Sequence, residues 1–433
     1  MKYLIALCLA ALAFVQSGEG AEKKSLTGNA AVTADWTQDA PGVRHKITVE
    51  DLPAPYATES ANNSPRVVRR PDGAQPRVPE GFKIEEYAGG FSYPRFLLTA
   101  PNGDIFVTES RSDAIKVLRD GNGDGKPEVT ETFASEGMKD PFGIAFYPPG
   151  PDPQFLYVAN TNGVVRFPYR NGDLKARGPV EKLSAELSGG GLLPGGGHWT
   201  RDIVFSPDGK KMYVSIGSFS NVSDNAMEKE RARIFEFNPD GTGRNVFAWG
   251  IRNAVGIAFR PGTNELWMST NERDELGEDL VPDYISRVQP GGFYGWPWFY
   301  IGNHQDPRHK GAHADLADKV LVPDVLVQSH SATLNLCFYD GAQFPPEYKG
   351  DLFAAFHGSW NRARRTGYKI VRVPFEKATG KARGDYEDFV TGFVTPEGNV
   401  WGRPVGITVA KDGSLLFSED GNKTIWRVSY GGK

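Results

Sequence analysis

A short unit recurs six times along this chain: an apolar strand, a turn that contains glycine or proline, and a second apolar strand that ends in small or polar residues. The copies read PRFLLTAPNGDIFVTES, PFGIAFYPPGPDPQFLYVANT, TRDIVFSPDGKKMYVSIGS, AVGIAFRPGTNELWMSTNE, LNLCFYDGAQFPPEYKGDLFAAFHGS and PVGITVAKDGSLLFSEDGN. Short strands joined by Asn-Gly and Asp-Gly turns are typical of antiparallel hairpins. Sheet units that recur at intervals of about 45–85 residues predict the blades of a propeller.

We therefore predict an all-β fold, a six-bladed β-propeller, over residues 79–433. A pair of β-sandwiches is the alternative fold. The spacing is longest between the fourth and fifth copies, so we expect an insertion at about residues 274–330 that covers one end of the propeller. Residues 22–78 are rich in Pro, Asn and Arg without a sustained period, and they predict an extended N-terminal arm.

The first residues have the pattern of a targeting segment. One lysine, an apolar run and then small and polar residues predict a secretory signal peptide over residues 1–21. This apolar run is too short to span a bilayer, and no later segment qualifies. After cleavage Cys337 alone remains, so we expect no intramolecular disulfide, and no C-x-x-C-H motif is present for an attached haem. The protein is expected to be secreted or periplasmic.

The charge of the chain argues against a polyanionic partner. Lys and Arg total 49 and Asp and Glu total 53, which gives a net charge of −4. Nucleic-acid binding depends mainly on an excess of basic residues facing phosphates. We therefore expect no nucleic-acid partner.

The residues that lead into the first strand of each blade are expected to meet at one mouth of the propeller axis. They bring several basic side chains to that mouth, while Arg362 follows the second strand of the fifth copy. Arginines aimed at one axis repel one another unless an anion neutralises them. The predicted mouth residues are Arg95, Asp140, His198 to Arg201, Arg252, Asn253, His330 and Arg403.

Five stretches resemble the soluble pyrroloquinoline-quinone (PQQ) sugar dehydrogenases, the glucose/sorbosone dehydrogenase family. They are HWTRDIVFSPDGKKMYVSIG, WGIRNAVGIAF, STNERDELGEDL, GGFYGWP and AFHGSWNRARRTGYKIVRV, and together they span most of residues 80–433. The last two resemble the sorbosone-dehydrogenase branch. The resemblance implies a six-bladed propeller that oxidises a sugar or sugar-derived aldehyde with PQQ and Ca²⁺. Electrons would then pass to a separate acceptor, a cytochrome or a quinone.

The resemblance also implies roles for individual residues. His198 would be the general base that removes the hydroxyl proton while hydride passes to the quinone. Arg252 and Asn253 would contact the quinone. The main-chain carbonyls of Glu272 and Arg273 would hold the calcium ion, although the family often has Gly-Pro there. Because every residue has a main-chain carbonyl, this ligation does not depend on the side chains.

Further cationic contacts follow from the resemblance and from the mouth. Arg403 matches an arginine that binds a cofactor carboxylate. Arg362 is the counterpart of another cationic contact, for which better-known members of the family have lysine. Arg95 and His330 are added on the mouth argument alone. His357 either packs within its blade or lies beside the cofactor.

The residue types fit this cofactor chemically. PQQ carries three carboxylates and an ortho-quinone, and arginine binds carboxylates bidentately without losing its proton. An oxygen-ligated Ca²⁺ polarises a carbonyl as a Lewis acid. Imidazole near its free pKa suits removal of a hydroxyl proton.

A second candidate calcium site lies in the stretch DGNGDGKPEVTE. Asp120, Asn122, Asp124, Gly125 and Glu131 match the ligand pattern of an EF-hand loop. The flanking segments have the pattern of strands rather than helices. Both a bound Ca²⁺ that stabilises an outer blade edge and a plain Asp/Gly turn remain open.

Two other functions remain as alternatives. A calcium-dependent lactonase of the propeller type would need a metal held by side-chain carboxylates on the axis, where the sequence has mainly arginines. A non-catalytic propeller that serves as a binding module would be indicated by loss of His198, which is present.

Overall fold

The protein is described from a computed structural model that covers residues 24–188 and 197–432. The predicted signal peptide lies outside the described residues. Within those residues the strands form six antiparallel blades, and the prediction of a six-bladed β-propeller is confirmed. Each repeat copy provides the first two strands of one blade. The first strands of neighbouring blades contact one another, which places them around the axis.

The first three blades are built from consecutive strands. The first blade contains Pro94–Thr99, Ile105–Glu109, Ala114–Arg119 and Val129–Ala134. The second contains Ile144–Tyr147, Phe155–Asn160, Gly163–Pro168 and Glu181–Glu186. The third contains Ile203–Phe205, Met212–Ile216, Arg233–Phe237 and Asn245–Trp249, with Gly292–Phe293 added in parallel at its outer edge.

The last three blades take strands from more distant parts of the chain. The fourth contains Ala254–Phe259, Leu266–Thr270, Tyr284–Arg287 and Val325–Leu326. The fifth contains Thr333–Phe338, Leu352–Phe356, Lys369–Val373 and Tyr386–Val390, followed by Arg44–Lys46 and Ser25–Thr27. The sixth contains Pro404–Val409, Leu415–Glu419, Thr424–Tyr430 and Phe82–Ala88.

The remaining elements are short. One helical turn, Asn29–Val32, belongs to the arm, and a two-stranded hairpin, Phe299–Tyr300 with His304–Gln305, lies in the insertion. The 3-10 turns are Trp36–Gln38, Val49–Asp51, Ser110–Ser112, Ala226–Glu228, Pro307–His309, Ala314–Lys319 and Pro346–Tyr348. None of the helices in the described residues is long and apolar enough to cross a membrane.

The ring is closed by pairing the two ends of the propeller. Phe82–Ala88, which precedes the first blade, pairs antiparallel with Thr424–Tyr430 as the outer strand of the sixth blade. The pairing covers an edge that would otherwise expose unpaired N–H and C=O groups. Closure therefore holds the first and last blades together without a covalent link.

Hydroxyl groups near the ends of the second strands join adjacent blades. Thr108, Ser269 and Ser418 each accept an N–H from the first strand of their own blade and donate to a main-chain carbonyl at the start of the next blade. For Thr108 the distances to Phe96 N and Phe142 O are both 3.0 Å. The small or polar residues that end the repeated unit thus satisfy buried backbone groups at the blade junctions.

The N-terminal arm lies against the fifth blade and is anchored there by buried charges. Lys369 Nζ is 2.7 Å from a carboxylate oxygen of Asp39 on the arm and 2.8 Å from one of Asp388 on the blade. His45 Nε2 of the arm is 3.1 Å from Asp388. Removing one member of such a buried set leaves an uncompensated charge, so the set fixes how the arm docks.

The region predicted as an insertion is partly blade. Residues 274–330 include the third and fourth strands of the fourth blade, Tyr284–Arg287 and Val325–Leu326. The long spacing between repeat copies arises because residues 288–324 are inserted between these two strands. The inserted part carries the hairpin and packs against the third blade through Gly292–Phe293.

Candidate active site

A cavity of about 520 Å³ opens where the loops that lead into the first strands meet. This size lies in the range of pockets that hold small molecules and cofactors. Seven residues predicted for the site line this cavity: Arg95, His198, Arg252, Asn253, Glu272, His330 and Arg403.

Two residues that the resemblance assigns to the cofactor and its calcium do not line the cavity, and neither do Asp140 and Arg201 of the predicted mouth. Arg362 is buried and pairs with Asp279 at 2.8 Å. Arg273 is buried and pairs with Asp306 at 2.7 Å. In both cases a carboxylate from the 274–330 region neutralises the guanidinium, so these cations serve the packing around the site.

His198 is held as a neutral imidazole with a defined tautomer. Its Nδ1 atom lies 2.9 Å from the main-chain oxygen of Ser218 and 3.1 Å from the Ser218 hydroxyl. Because a carbonyl oxygen only accepts, Nδ1 carries the proton and Nε2 keeps its lone pair. Burial, followed by the charge of Arg252, lowers the pKa of His198 from 6.5 to about 3. At neutral pH the ring is therefore uncharged and able to accept a proton.

The Arg252 guanidinium is saturated by protein acceptors. Nε donates to Asn221 O at 3.1 Å, and Nη2 donates to Asn221 Oδ1 at 3.1 Å and to Asp274 Oδ2 at 3.2 Å. Nη1 donates to Glu272 O at 2.7 Å and to Asn271 O at 3.4 Å. The Glu272 carbonyl that the resemblance assigns to calcium thus already accepts from a cation. The guanidinium charge of Arg252 therefore opposes a Ca²⁺ ion at the Glu272 oxygen.

An ionised aspartate joins Arg252 to His330. Asp274 Oδ1 lies 3.2 Å from His330 Nδ1, and His330 Nε2 lies 3.1 Å from Gly277 O. Burial opposes ionisation of Asp274, but Arg252 and His330 outweigh it and lower its pKa. By contrast, burial raises the pKa of Glu272 to about 8, so this side chain is uncharged at neutral pH.

Four titratable groups from the sixth, first and fifth blades form a chain beside the cavity. Arg95 pairs with Asp420, whose Oδ1 is 3.0 Å from His357 Nε2. His357 Nδ1 in turn accepts from Arg403 Nη2 at 2.9 Å. Burial and then the charge of Arg403 lower the pKa of His357 to about 4, so its ring is neutral. Of the two alternatives for His357, the structure gives it a position lining the cavity.

The cavity wall holds polar groups with unused binding capacity. Arg403 forms no ion pair with any residue that the structure describes, and its guanidinium contacts the neutral ring and carbonyl of His357. The buried Oδ1 atom of Asn253 has no hydrogen-bond partner within the described ranges. A free guanidinium and a free amide oxygen fit a ligand that carries both carboxylates and hydrogen-bond donors. The donor set therefore fits a polycarboxylate such as PQQ.

The second candidate calcium loop forms an outer turn of the first blade, away from the cavity. The carboxylates of Asp120, Asp124 and Glu128 lie within 4.8 Å of one another, whereas Glu131 lies on the strand Val129–Ala134. Asn122 donates to Asp124 at 3.3 Å. The sequence pattern named Glu131 because it assumes a longer loop, but the hairpin turns back at Glu128. Calcium binding at this loop stays a prediction.

Sequence reasoning missed several residues of the cavity wall. Asp274 follows the stretch STNER directly, but its role depends on contacts with two distant residues. Tyr93, Phe219 and Trp360 add aromatic surface to the wall, as does Trp199, which belongs to the predicted mouth segment. The position of Trp360 beside His357 in HGSW is the one signal that pointed to it.

The fold and this cavity define a class: a six-bladed propeller with an axial cavity lined by cationic and imidazole groups. A family model described as TrAA12-like matches residues 76–293 and 298–431, and the chain belongs to this family. The described architecture is also that of solved structures in the same class. The PQQ domain of pyranose dehydrogenase from Coprinopsis cinerea aligns with a TM-score of 0.68 at 20% identity, covering 84% of this chain and 98% of that one.

Two further relatives are informative. An uncharacterised protein of Borreliella burgdorferi is 30% identical over 360 residues, which are 82% of this chain and 90% of that protein. The PQQ-dependent pyranose dehydrogenase of Coprinopsis cinerea is 23% identical, with 80% of this chain matched to 54% of the enzyme. The chain thus spans about half the length of that fungal enzyme.

Proposed function

We propose that the protein is a PQQ-dependent dehydrogenase that oxidises a sugar or sugar-derived aldehyde, with His198 as the general base. The observation that carries this proposal is a neutral, tautomer-fixed His198 in a cavity that also holds the unpaired Arg403. The pyranose dehydrogenase of Coprinopsis cinerea, which is PQQ-dependent, supports the same substrate and cofactor class.

The chain's own residues have distinct tasks in this reaction. Arg403 attracts a carboxylate of the cofactor, Arg95 lines the same cavity while paired with Asp420, and the Asn253 amide oxygen accepts a hydrogen bond from bound ligand. Nε2 of His198 takes the proton of the sugar hydroxyl. The chemistry that PQQ supplies when bound is acceptance of a hydride from the sugar carbon that bears this hydroxyl. Proton and hydride together account for the two electrons and two hydrogens that the alcohol loses.

The low pKa of His198 depends on its surroundings before a ligand binds. Burial and the charge of Arg252 both disfavour the imidazolium. A tricarboxylate bound in the same cavity offsets the arginine charge and favours the protonated ring. The negative charge of the cofactor thus acts to raise the basicity of His198 toward the working pH, at which a general base is most effective.

Arg252 donates to the main-chain oxygens of Asn271 and Glu272, so calcium would have to compete with the guanidinium for these oxygens. No step of the reaction is assigned to the metal. The lactonase alternative gains no support from the described residues, where the carboxylate groups able to hold a metal lie at Asp39 with Asp388 and at Asp120, outside the cavity.

Reconstitution of the apo protein tests the proposal. PQQ is titrated into the protein and followed by its absorbance, and a panel of aldoses is then added without any dye. Saturable PQQ binding followed by bleaching of the quinone spectrum is expected. Failure of PQQ to bind, or hydrolysis of a lactone by the cofactor-free protein, would contradict it. A separate electron acceptor and an exported location belong to the same proposal.

A further inference from the structure

One aromatic side chain at the cavity rim has its apolar surface uncovered. Trp360 is 40% exposed, the highest value among the nine tryptophans of the chain, and it lines the cavity. Its indole ring stacks on no aromatic ring or cation of the described residues. An exposed indole at a cavity mouth is apolar area whose burial is favourable when a ligand covers it.

The backbone that carries this ring is fixed on both sides. The Trp360 carbonyl accepts from Asn63 N at 2.7 Å, and the preceding Ser359 N donates to Thr366 O at 3.0 Å. The following Asn361 accepts from Glu275 N at 2.8 Å through its side chain. The fixed backbone holds the ring at the rim, so only the side-chain torsions of Trp360 have to be ordered when a ligand stacks on it.

Part of the N-terminal arm completes this rim. Thr58 and Ser60 accept from Glu278 N at 2.8 Å and from Gly277 N at 3.0 Å. Asn63 contacts the Trp360 segment on the other side, as described above. Arm residues 58–63 thus link the 275–278 segment to the 359–363 segment. Glu275 and Trp360 both line the cavity, and Glu275 N donates to the side chain of Asn361, the residue after Trp360.

The charges decide which ligand this rim suits. Glu275 is exposed, and its Oε2 atom pairs with Arg308 at 2.8 Å, so the carboxylate keeps further acceptor capacity for a hydroxyl. A tricarboxylate finds no unpaired cation at this rim and is drawn instead to Arg403, which has no carboxylate partner among the described residues. A neutral polyol has the opposite preference, because its C–H face packs on an indole and its hydroxyls donate to a carboxylate.

We propose that Trp360 is the stacking platform for the sugar ring and that Glu275 accepts a hydroxyl hydrogen bond beside it. The proposal rests on the proposed function and assigns the substrate subsite within it. The rim residues then select for pyranose rings over flexible open-chain alcohols.

The test separates sugar binding from cofactor binding. Trp360→Ala, Trp360→Phe and the wild type are loaded with PQQ, and reduction of bound PQQ is followed in single turnovers over a range of aldose concentrations. Trp360→Ala is expected to raise the apparent Kd for the aldose about tenfold. The limiting rate stays within about threefold of wild type, because the ring does not touch the reacting atoms. Trp360→Phe retains most of the affinity.

Two controls make the result specific. Tyr56 is exposed on the same arm but does not line the cavity, so Tyr56→Ala is expected to leave the aldose Kd unchanged. PQQ titration of Trp360→Ala is expected to match wild type. An unchanged aldose Kd in Trp360→Ala, or a PQQ affinity that falls in parallel, overturns the proposal. A wild-type protein that binds no PQQ refutes the proposed function instead.

Discussion

The Nδ1 atom of His198 lies 2.9 Å from the main-chain oxygen of Ser218, and the hydroxyl of the same serine is 3.1 Å away. That hydroxyl donates its own proton to Ser220 O at 2.6 Å, so toward His198 it can only accept. Both neighbours of Nδ1 are therefore acceptors, and the proton of the neutral ring is fixed there. Nε2 is left as the basic atom without any need for a carboxylate partner.

His198→Ala is expected to slow sugar-dependent reduction of bound PQQ by about 10²–10⁴-fold, the usual contribution of a positioned base. PQQ affinity should be retained, because the arginines of the cavity are untouched. His304→Ala provides a matched control, since His304 lies in the insertion and bonds to Ile301 O. Single-turnover absorbance measures both effects. Near wild-type reduction by His198→Ala would show that another group removes the proton.

His198 and His357 both make the free energy of unfolding depend on pH. The folded pKa values of His198 and His357 are lowered to about 3 and about 4, below the unfolded value of 6.5. As pH falls below about 6.5 the unfolded chain binds protons that the folded apo protein refuses, so the free energy of unfolding decreases down to about pH 3. The loss for one histidine approaches about 1.4 kcal/mol per pH unit within this window.

His198→Gln should remove one of these two contributions. Urea unfolding of apo wild type and of the variant between pH 6.5 and pH 4.5 measures the difference in slope, with pH 8 as the reference. We expect the variant to lose less stability on acidification. Equal slopes would mean that His198 protonates in the folded state as readily as in the unfolded chain.

The fold could be predicted because the repeated hairpin is a local pattern. Each copy contains its own turn and its own two strands, so no long-range information is needed to recognise a blade. Ring closure by Phe82–Ala88 could not be read in this way, because its partner strand lies at the other end of the chain. The two arm strands that extend the fifth blade, Ser25–Thr27 and Arg44–Lys46, have only three residues each. They are too short to show the apolar alternation by which a strand is recognised in a sequence.

The site was predictable where position along a repeat determines direction. Arg252 and Arg403 lie just before first strands and Arg95 is the second residue of one, and all three line the cavity. The position of Arg362 was beyond this reasoning, because its partner Asp279 comes from another segment and nothing in the local pattern indicates an ion pair. The carbonyl role of Arg273 stays a prediction.

Arg403→Ala should weaken PQQ binding by about 10- to 100-fold, as expected for the loss of one charge-assisted contact. Arg403 has no carboxylate partner among the described residues, so its deletion leaves no buried anion behind. Arg364→Ala is the matched control, since this arginine is on the surface with 67% of its side chain exposed. Absorbance titration with PQQ measures the affinities. Equal affinities for both variants would show that the cofactor carboxylates lie elsewhere.

Arg252 and calcium would compete for the same carbonyl oxygens, those of Asn271 and Glu272. Arg252 Nη1 is 2.7 Å from Glu272 O, a distance at which a cation on that oxygen would also face the guanidinium charge. Arg252→Ala removes this competitor and leaves the carbonyls of Asn271 and Glu272 unpaired. We therefore expect the variant to bind calcium at the cavity more tightly than the wild type does.

The outer loop must be silenced for this measurement, because its carboxylates are a second candidate calcium site. The double variant Asp120→Asn, Asp124→Asn serves as the common background. Calorimetric titration with Ca²⁺ is then carried out on this background with and without Arg252→Ala. The background alone, compared with wild type, also reports whether calcium raises thermal stability through the outer loop. A calcium affinity that is unchanged or lower after Arg252→Ala would mean that the guanidinium does not occupy the metal position, and that the carbonyls of the 271–273 loop are available to Ca²⁺ in the wild type.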